Sequence, residues 1–234
     1  VRRVPSQRLL HVLEEVRRGR FVLLYDDSRR EGEVDMVKAA SHVGPLDVLT
    51  LRQLAGGLIC VAIDARTAER LQIPFLLDLL LSSASEGALR LAQNTLARRP
   101  YGDLPAFSLS VNHVDTYTGI TDRDRSLTIR ALAEVARLAE EDGAKARELF
   151  LSSFRAPGHV PILISREGFP RERRGHTELA IFLASLAGLP KAMVLCEMLA
   201  SDGNALEREE ARRVAQERGY AFVEGYELVQ LAEG

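Results

Sequence analysis

From end to end the chain alternates short apolar runs with segments of helical period, and that alternation leaves few architectures open. Residues 21–25 (Phe-Val-Leu-Leu-Tyr), 57–63 (Gly-Leu-Ile-Cys-Val-Ala-Ile) and 192–196 are continuously apolar but too short for buried helices. They read as strands covered on both faces. Residues 34–40, 106–114, 160–164 and 221–223 add further strands, with Phe107, Leu109 and Val111 alternating in the second of these. Helical spacing marks 6–18, 46–55, 64–71, 123–138, 144–154, 178–187, 206–218 and 225–232, with Ser6 and Asp64 placed as N-caps. Strands buried on both sides need a layer on each. The expected fold is therefore α+β: one domain, a mixed β-sheet with helices on both faces, in three layers. Residues 73–101 give no clear period, and Ala156-Pro157-Gly158 reads as the stop of helix 144–154.

Charge and cysteine usage exclude several classes. A net charge of −2 is no footprint for nucleic acid. Without a run of 18 apolar residues, no membrane span is expected. Cys60 and Cys196 each sit inside an apolar run, as reduced core thiols do, which together with the lack of a visible leader points to the cytoplasm. No glycine-rich phosphate loop is present.

One stretch is chemically unusual: Asp26-Asp27-Ser28-Arg29-Arg30-Glu31-Gly32-Glu33-Val34-Asp35. In an extended chain, Glu31, Glu33 and Asp35 share one face, roughly 6–7 Å apart. Such carboxylates repel unless they are solvated, protonated or gathered round a cation. Later stretches offer partners. Thr118-Gly119-Ile120-Thr121 opens the long helix, with Thr121 and Asp124 at capping-box spacing. His159 follows Pro157-Gly158. Arg173-Arg174-Gly175-His176-Thr177-Glu178 opens another helix, joining a possible metal ligand to a helix N-terminus. Glu197 ends an apolar strand, where an acid is costly without a task or a partner. Taken singly, each has an ordinary structural explanation as a cap, a solvated charge or a turn residue.

In this order, Arg-Glu-x-Glu-x-Asp, Gly-Leu-Ile-Cys-Val, Thr-Gly-Ile-Thr-x-x-Asp-Arg-x-x-Thr, Pro-Gly-His-Val, Arg-Arg-Gly-His-Thr-Glu and Cys-Glu-Met resemble the 3,4-dihydroxy-2-butanone 4-phosphate synthases. The resemblance covers nearly the whole chain, to about Glu224. Ala156 departs from it, standing where many members have arginine. The resemblance implies a magnesium- or manganese-dependent lyase of riboflavin biosynthesis, which converts ribulose 5-phosphate to 3,4-dihydroxy-2-butanone 4-phosphate and formate. It implies Glu31 and His176 as metal ligands, and Glu33, Asp35 and Glu197 as groups for proton transfer, with Asp35 also touching substrate. His159 would position or protonate a hydroxyl, and Cys60 would line the site. Arg30, Arg173 and Thr177 would hold the phosphate, with Thr118 and Thr121 near by. It further implies a homodimer with sites at the subunit interface, and a single catalytic domain over 1–234 without a fused GTP cyclohydrolase II domain. Two other classes stay open: a non-catalytic sugar-phosphate or nucleotide-binding regulatory module on a related fold, and a structural partner protein.

Overall fold

The computed structural model describes residues 5–234. Seven strands form one mixed sheet: β1 (Val22–Tyr25), β2 (Val34–Ala39), β3 (Cys60–Ile63), β4 (Phe107–His113), β5 (Phe154–Ile164), β6 (Ala192–Glu197) and β7 (Ala221–Glu224). Their order is β4-β5-β3-β6-β2-β1-β7, with β1 parallel to β7, β3 parallel to β5 and the other pairs antiparallel. The helices are α1 (Gln7–Arg17), α2 (Pro45–Thr50), α3 (Ala65–Leu71), α4 (Leu76–Leu81), α5 (Glu86–Ala97), α6 (Asp122–Glu141), α7 (Gly143–Ser153), α8 (His176–Ala187), α9 (Arg208–Arg218) and α10 (Gly225–Glu233). None of the described helices is long and apolar enough to cross a membrane.

Strand alternation sorts the sheet's side chains into two layers. Leu23, Met36, Val61, Val194 and Cys196 pack with Ile129, Leu132 and Ala136 of α6. Leu24, Val37, Ala62 and Leu195 face the other way, onto Leu9 and Leu13 of α1 and Leu179 and Leu183 of α8. The three-layer α+β expectation and the strand assignments rest on this double burial, which is why continuous apolar runs marked the central strands.

Three local readings need correction. Residues 73–100 contain two helices, α4 and α5, and α5 buries only Ala92 while leaving Leu91 and Leu96 exposed. Its apolar residues face outward, so no inward period was visible. Ala156-Pro157-Gly158 is no turn but lies within β5. β3 pairs with β5 only over Ile162–Ile164, so Pro157 loses no ladder bond on that side. The helix read over 46–55 is α2 followed by a π-helical turn, Leu51–Ala55, closed by Gly56 in the left-handed region (φ 90°).

Candidate active site

The same alternation builds one side of a cleft. Cys60 shares its face with Ala62, Asp35 with Val37, and Glu197 with Leu195, so all three point into the α1–α8 layer. Asp35 lies directly opposite Glu197 across β2 and β6. Glu197 accepts a hydrogen bond from the Leu58 backbone N–H at 2.8 Å. Gly57 makes this approach possible, because a Cβ there would meet the Glu197 carboxylate and its carbonyl oxygen.

The loop between β1 and β2 supplies the opposite wall, and Asp26 organises it. Its buried carboxylate accepts from Glu31 N at 3.3 Å, Glu33 N at 3.2 Å and the Arg30 guanidinium at 3.1 Å. The chain turns over Ser28–Glu31 and passes through Gly32 at φ +67°. Glu31 is thus a turn residue, not a strand residue. The expected single face carrying Glu31, Glu33 and Asp35 does not form, because Asp26 satisfies the loop amides that a strand ladder would otherwise pair. Glu31 still reaches the cleft: its carboxylate lies 3.1 Å from His176 Nδ1 at the start of α8. His176 Nε2 is 3.2 Å from the Glu33 carbonyl and 3.7 Å from Asp35 Oδ1.

Burial and like charge set the protonation of this cluster. Burial opposes an imidazolium at His176, but Asp35, Glu31 and Asp26 outweigh it and raise the pKa to about 10. Both ring nitrogens then have an acceptor within reach. Burial also works against an ionised Glu31, yet His176, Tyr101 and Arg30 bring its pKa down to about 2. Asp35 goes the other way: burial, then the charges of Glu197, Glu31 and Glu33, push it up to about 7 despite His176. Glu33 is raised by burial and by Glu31. Burial, then Glu197 and Asp35, push the Cys60 thiol up, so at neutral pH it is an uncharged lining group.

The donor set fits a hard divalent cation. One ligand atom each from Asp26, Glu31 and His176 lies within 4.8 Å of the others. The 3.1 Å Glu31–His176 separation is close to the edge of an octahedral shell with bonds of ~2.1 Å, about 3 Å. Asp35 Oδ1 beside them is buried without a hydrogen-bond partner.

Next to this cluster lies a cationic wall. Arg173 is buried and ion-paired with the buried Glu178, whose other oxygen accepts from Arg166 N. Arg30 and Arg173 both face Asp103. Glu31, Asp35, Cys60, Arg173, His176, Thr177 and Glu197 share a cavity of about 240 Å³ with Tyr101 and Asp103. That is below the usual size of a drug-sized pocket and suits a small metabolite.

Thr118, Thr121 and His159 do not line this cavity. Thr121 caps α6 by accepting from Asp124 N at 3.1 Å, while Gly119 N donates to Asp124 at 2.9 Å. His159 is held by the buried Asn112, which accepts from its N–H at 2.8 Å and also reaches the Thr118 carbonyl. These residues form a second polar group where β4 meets β5. Sequence reading attached no role to Asp26, Tyr101, Asp103, Asn112 or Glu178. Asp26 stood in the acidic stretch, but its inward orientation depends on the turn. Tyr101 closed the stretch that showed no period, and Asp103 fell between that stretch and the strand at 106–114.

Paired carboxylates and an imidazole beside the buried Arg173 and the half-buried Arg30 define an acid–base enzyme site for a small anionic substrate. The chain belongs to the 3,4-dihydroxy-2-butanone 4-phosphate synthase family, whose model matches residues 10–231. It is 41% identical over 227 residues to 3,4-dihydroxy-2-butanone 4-phosphate synthase of Methanosarcina mazei, covering 96% of this chain and 91% of that one. Among solved structures it is similar to a 3,4-dihydroxy-2-butanone 4-phosphate synthase in complex with two magnesium ions (TM-score 0.76, 26% identity, 96% of each chain). It also resembles a two-domain synthase from A. baumannii (TM-score 0.75, 28% identity), covering 95% of this chain and spanning 56% of that longer one.

Proposed function

We propose that this protein converts ribulose 5-phosphate into 3,4-dihydroxy-2-butanone 4-phosphate and formate, a step of riboflavin biosynthesis, in the cytoplasm and as one catalytic domain. The observation that carries this is the convergence of Glu31 and Asp35 on His176, with Glu197 opposite Asp35 and Arg173 and Thr177 in the same cleft, in a chain of this family. An intact set of this kind does not favour a regulatory module that only binds its ligand.

Glu31 and His176 hold the magnesium or manganese ion, with Asp26 alongside. A bound ion of this kind would supply Lewis-acid polarisation of the substrate's carbonyl. Arg30, Arg173 and Thr177 hold the phosphate. Asp35, with its pKa near neutrality, can both take and return a proton at the carbons next to the ketone. Glu197 and Glu33 serve the remaining transfers, and Cys60 lines the site without charge. His159, Thr118 and Thr121 act from the partner in a homodimer, a reading supported by their grouping away from the cavity on one edge of the sheet, where Tyr117 and Ile120 are exposed.

The test is formate release from ribulose 5-phosphate with Mg²⁺. Chelator should abolish it and added Mg²⁺ or Mn²⁺ restore it. Glu31→Gln should retain calorimetric substrate binding and lose formate release; the reverse result would overturn the assignment. Mixing Glu31→Ala with His159→Ala subunits should recover activity that neither has alone, and no recovery would count against the shared site.

A further inference from the structure

Arg30 and Arg173 are each pinned at one end and shared at the other. The Arg30 guanidinium is held by Asp26, and that of Arg173 by Glu178; both of these carboxylates have fully buried side chains. The free ends turn toward one carboxylate oxygen, Asp103 Oδ2. It lies 3.1 Å from Arg30 Nε, 2.6 Å from its terminal nitrogen and 3.7 Å from Arg173 Nε. Arg173 Nε is buried and has no hydrogen-bond partner. Asp103 sits on the connection between α5 and β4, with a side chain 24% exposed.

Charge decides what this arrangement can accept. Two guanidiniums face four carboxylates, since Glu31 also stands 4.0 Å from Arg30, so the cluster is already negative before any substrate arrives. A phosphate dianion added to it would meet repulsion, not a seat. Removing either buried carboxylate would strand a guanidinium in the interior. Asp26 and Glu178 are buried and Glu31 is held by His176, so Asp103, partly exposed and on a loop, is the anion that can leave. A phosphoryl oxygen arriving there would take over the Arg30 bonds and give Arg173 Nε the acceptor it lacks.

We propose that Asp103 is a displaceable counter-anion that occupies the phosphate seat until a substrate phosphate replaces it. The 98–106 connection thereby acts as a gate whose opening depends on the incoming anion. This rests on the phosphate seat proposed above.

The experiment titrates inorganic phosphate, by calorimetry with Mg²⁺ present, into the native protein, Asp103→Asn and Asp103→Glu. The expected result is that Asp103→Asn binds phosphate about tenfold more tightly, because a competing charge is gone. Asp103→Glu should stay within a few-fold of native, since it keeps the charge. Equal or weaker phosphate binding by Asp103→Asn would overturn the proposal, as would tightening by Asp103→Glu to the same extent. Formate release by the native protein is measured in parallel. Formate without tighter phosphate binding in Asp103→Asn removes this inference alone, whereas a native protein that forms no formate removes the catalytic reading and leaves the phosphate result standing.

Discussion

Asp35 and Glu197 stand face to face on adjacent antiparallel strands, two carboxylates directed into the same buried layer. The Glu197 charge is one cause of the raised Asp35 pKa, after burial. In the metal-free protein, Glu197→Gln should therefore lower the Asp35 pKa from about 7, while burial keeps it above its ordinary value. Carbon-13 NMR of the aspartate carboxyls would report this directly. An unmoved or higher Asp35 pKa would show that the pair is not electrostatically coupled.

Cation binding should release a proton. With a pKa of about 10, His176 is an imidazolium at pH 7.5 in the metal-free protein, and only the neutral ring can be a ligand. Calorimetry with Mn²⁺ in buffers of different ionisation enthalpy should show close to one proton released per site. Affinity should rise about tenfold per pH unit below that pKa. Binding without proton release would exclude His176 as a ligand.

The metal-free fold should weaken as pH rises. His176 is raised in the folded state, so its contribution is complete below about 6.5 and is lost as pH climbs through about 10. Asp35 is raised too, which makes its burial increasingly unfavourable from about pH 4 to 7. Glu31 is depressed to about 2, and its contribution is lost only as pH falls below about 4.5. Thermal melting in chelator should thus give a falling Tm between pH 6 and 10. His176→Asn should flatten the upper part of that slope, and a Tm that rises over this range would contradict the cluster's electrostatics.

Arg173→Met should act on binding more than on chemistry, because the phosphate is unchanged by the reaction. Losing a charge-assisted hydrogen bond typically costs about 1.5–3 kcal/mol, or roughly one to two decades in KM. Thr177→Val should behave alike, with the smaller effect of a lost hydroxyl. A collapse of kcat with KM intact in steady-state formate assays would move both residues out of the phosphate seat.

Gly57→Ala tests a residue that carries no functional group. Its added Cβ would lie 2.6 Å from the Glu197 carbonyl oxygen and would collide with the carboxylate as well. Activity should fall by at least about tenfold, roughly 1.4 kcal/mol in the barrier, from displacement of Glu197 alone. Native-like activity in this variant would mean that the chemistry does not require Glu197 in the position it holds.

Much of the fold was legible because the central strands are buried on both faces and so read as plain apolar runs, as at 21–25 and 192–196. Helix α8 was equally plain, with Leu179, Leu183 and Ala184 buried in its layer. The site was legible in residue type but less so in geometry. Period-two spacing suggested that Glu31, Glu33 and Asp35 lie along one strand, yet hydrogen bonds to Asp26 fold the first of them into a turn. Tyr101 and Asp103 escaped notice because loops carry no period, and their roles depend on partners far away in sequence, such as Arg173 for Asp103. Asn112 was hidden as one polar residue within an alternating strand, although it is the anchor of His159.

His176 and Thr177 are neighbours in the chain, one facing the carboxylates and the other lining the same cavity as Arg173. Their Cα atoms are fixed about 3.8 Å apart by a single peptide, and both belong to the first turn of a helix packed against the sheet. In the proposed reading, that peptide is a ruler: it keeps the backbone anchors of the cation's end of the substrate and the phosphate's end on one rigid turn. Sugar phosphates one carbon shorter or longer would engage one end and miss the other, so selection by chain length is built into the backbone itself.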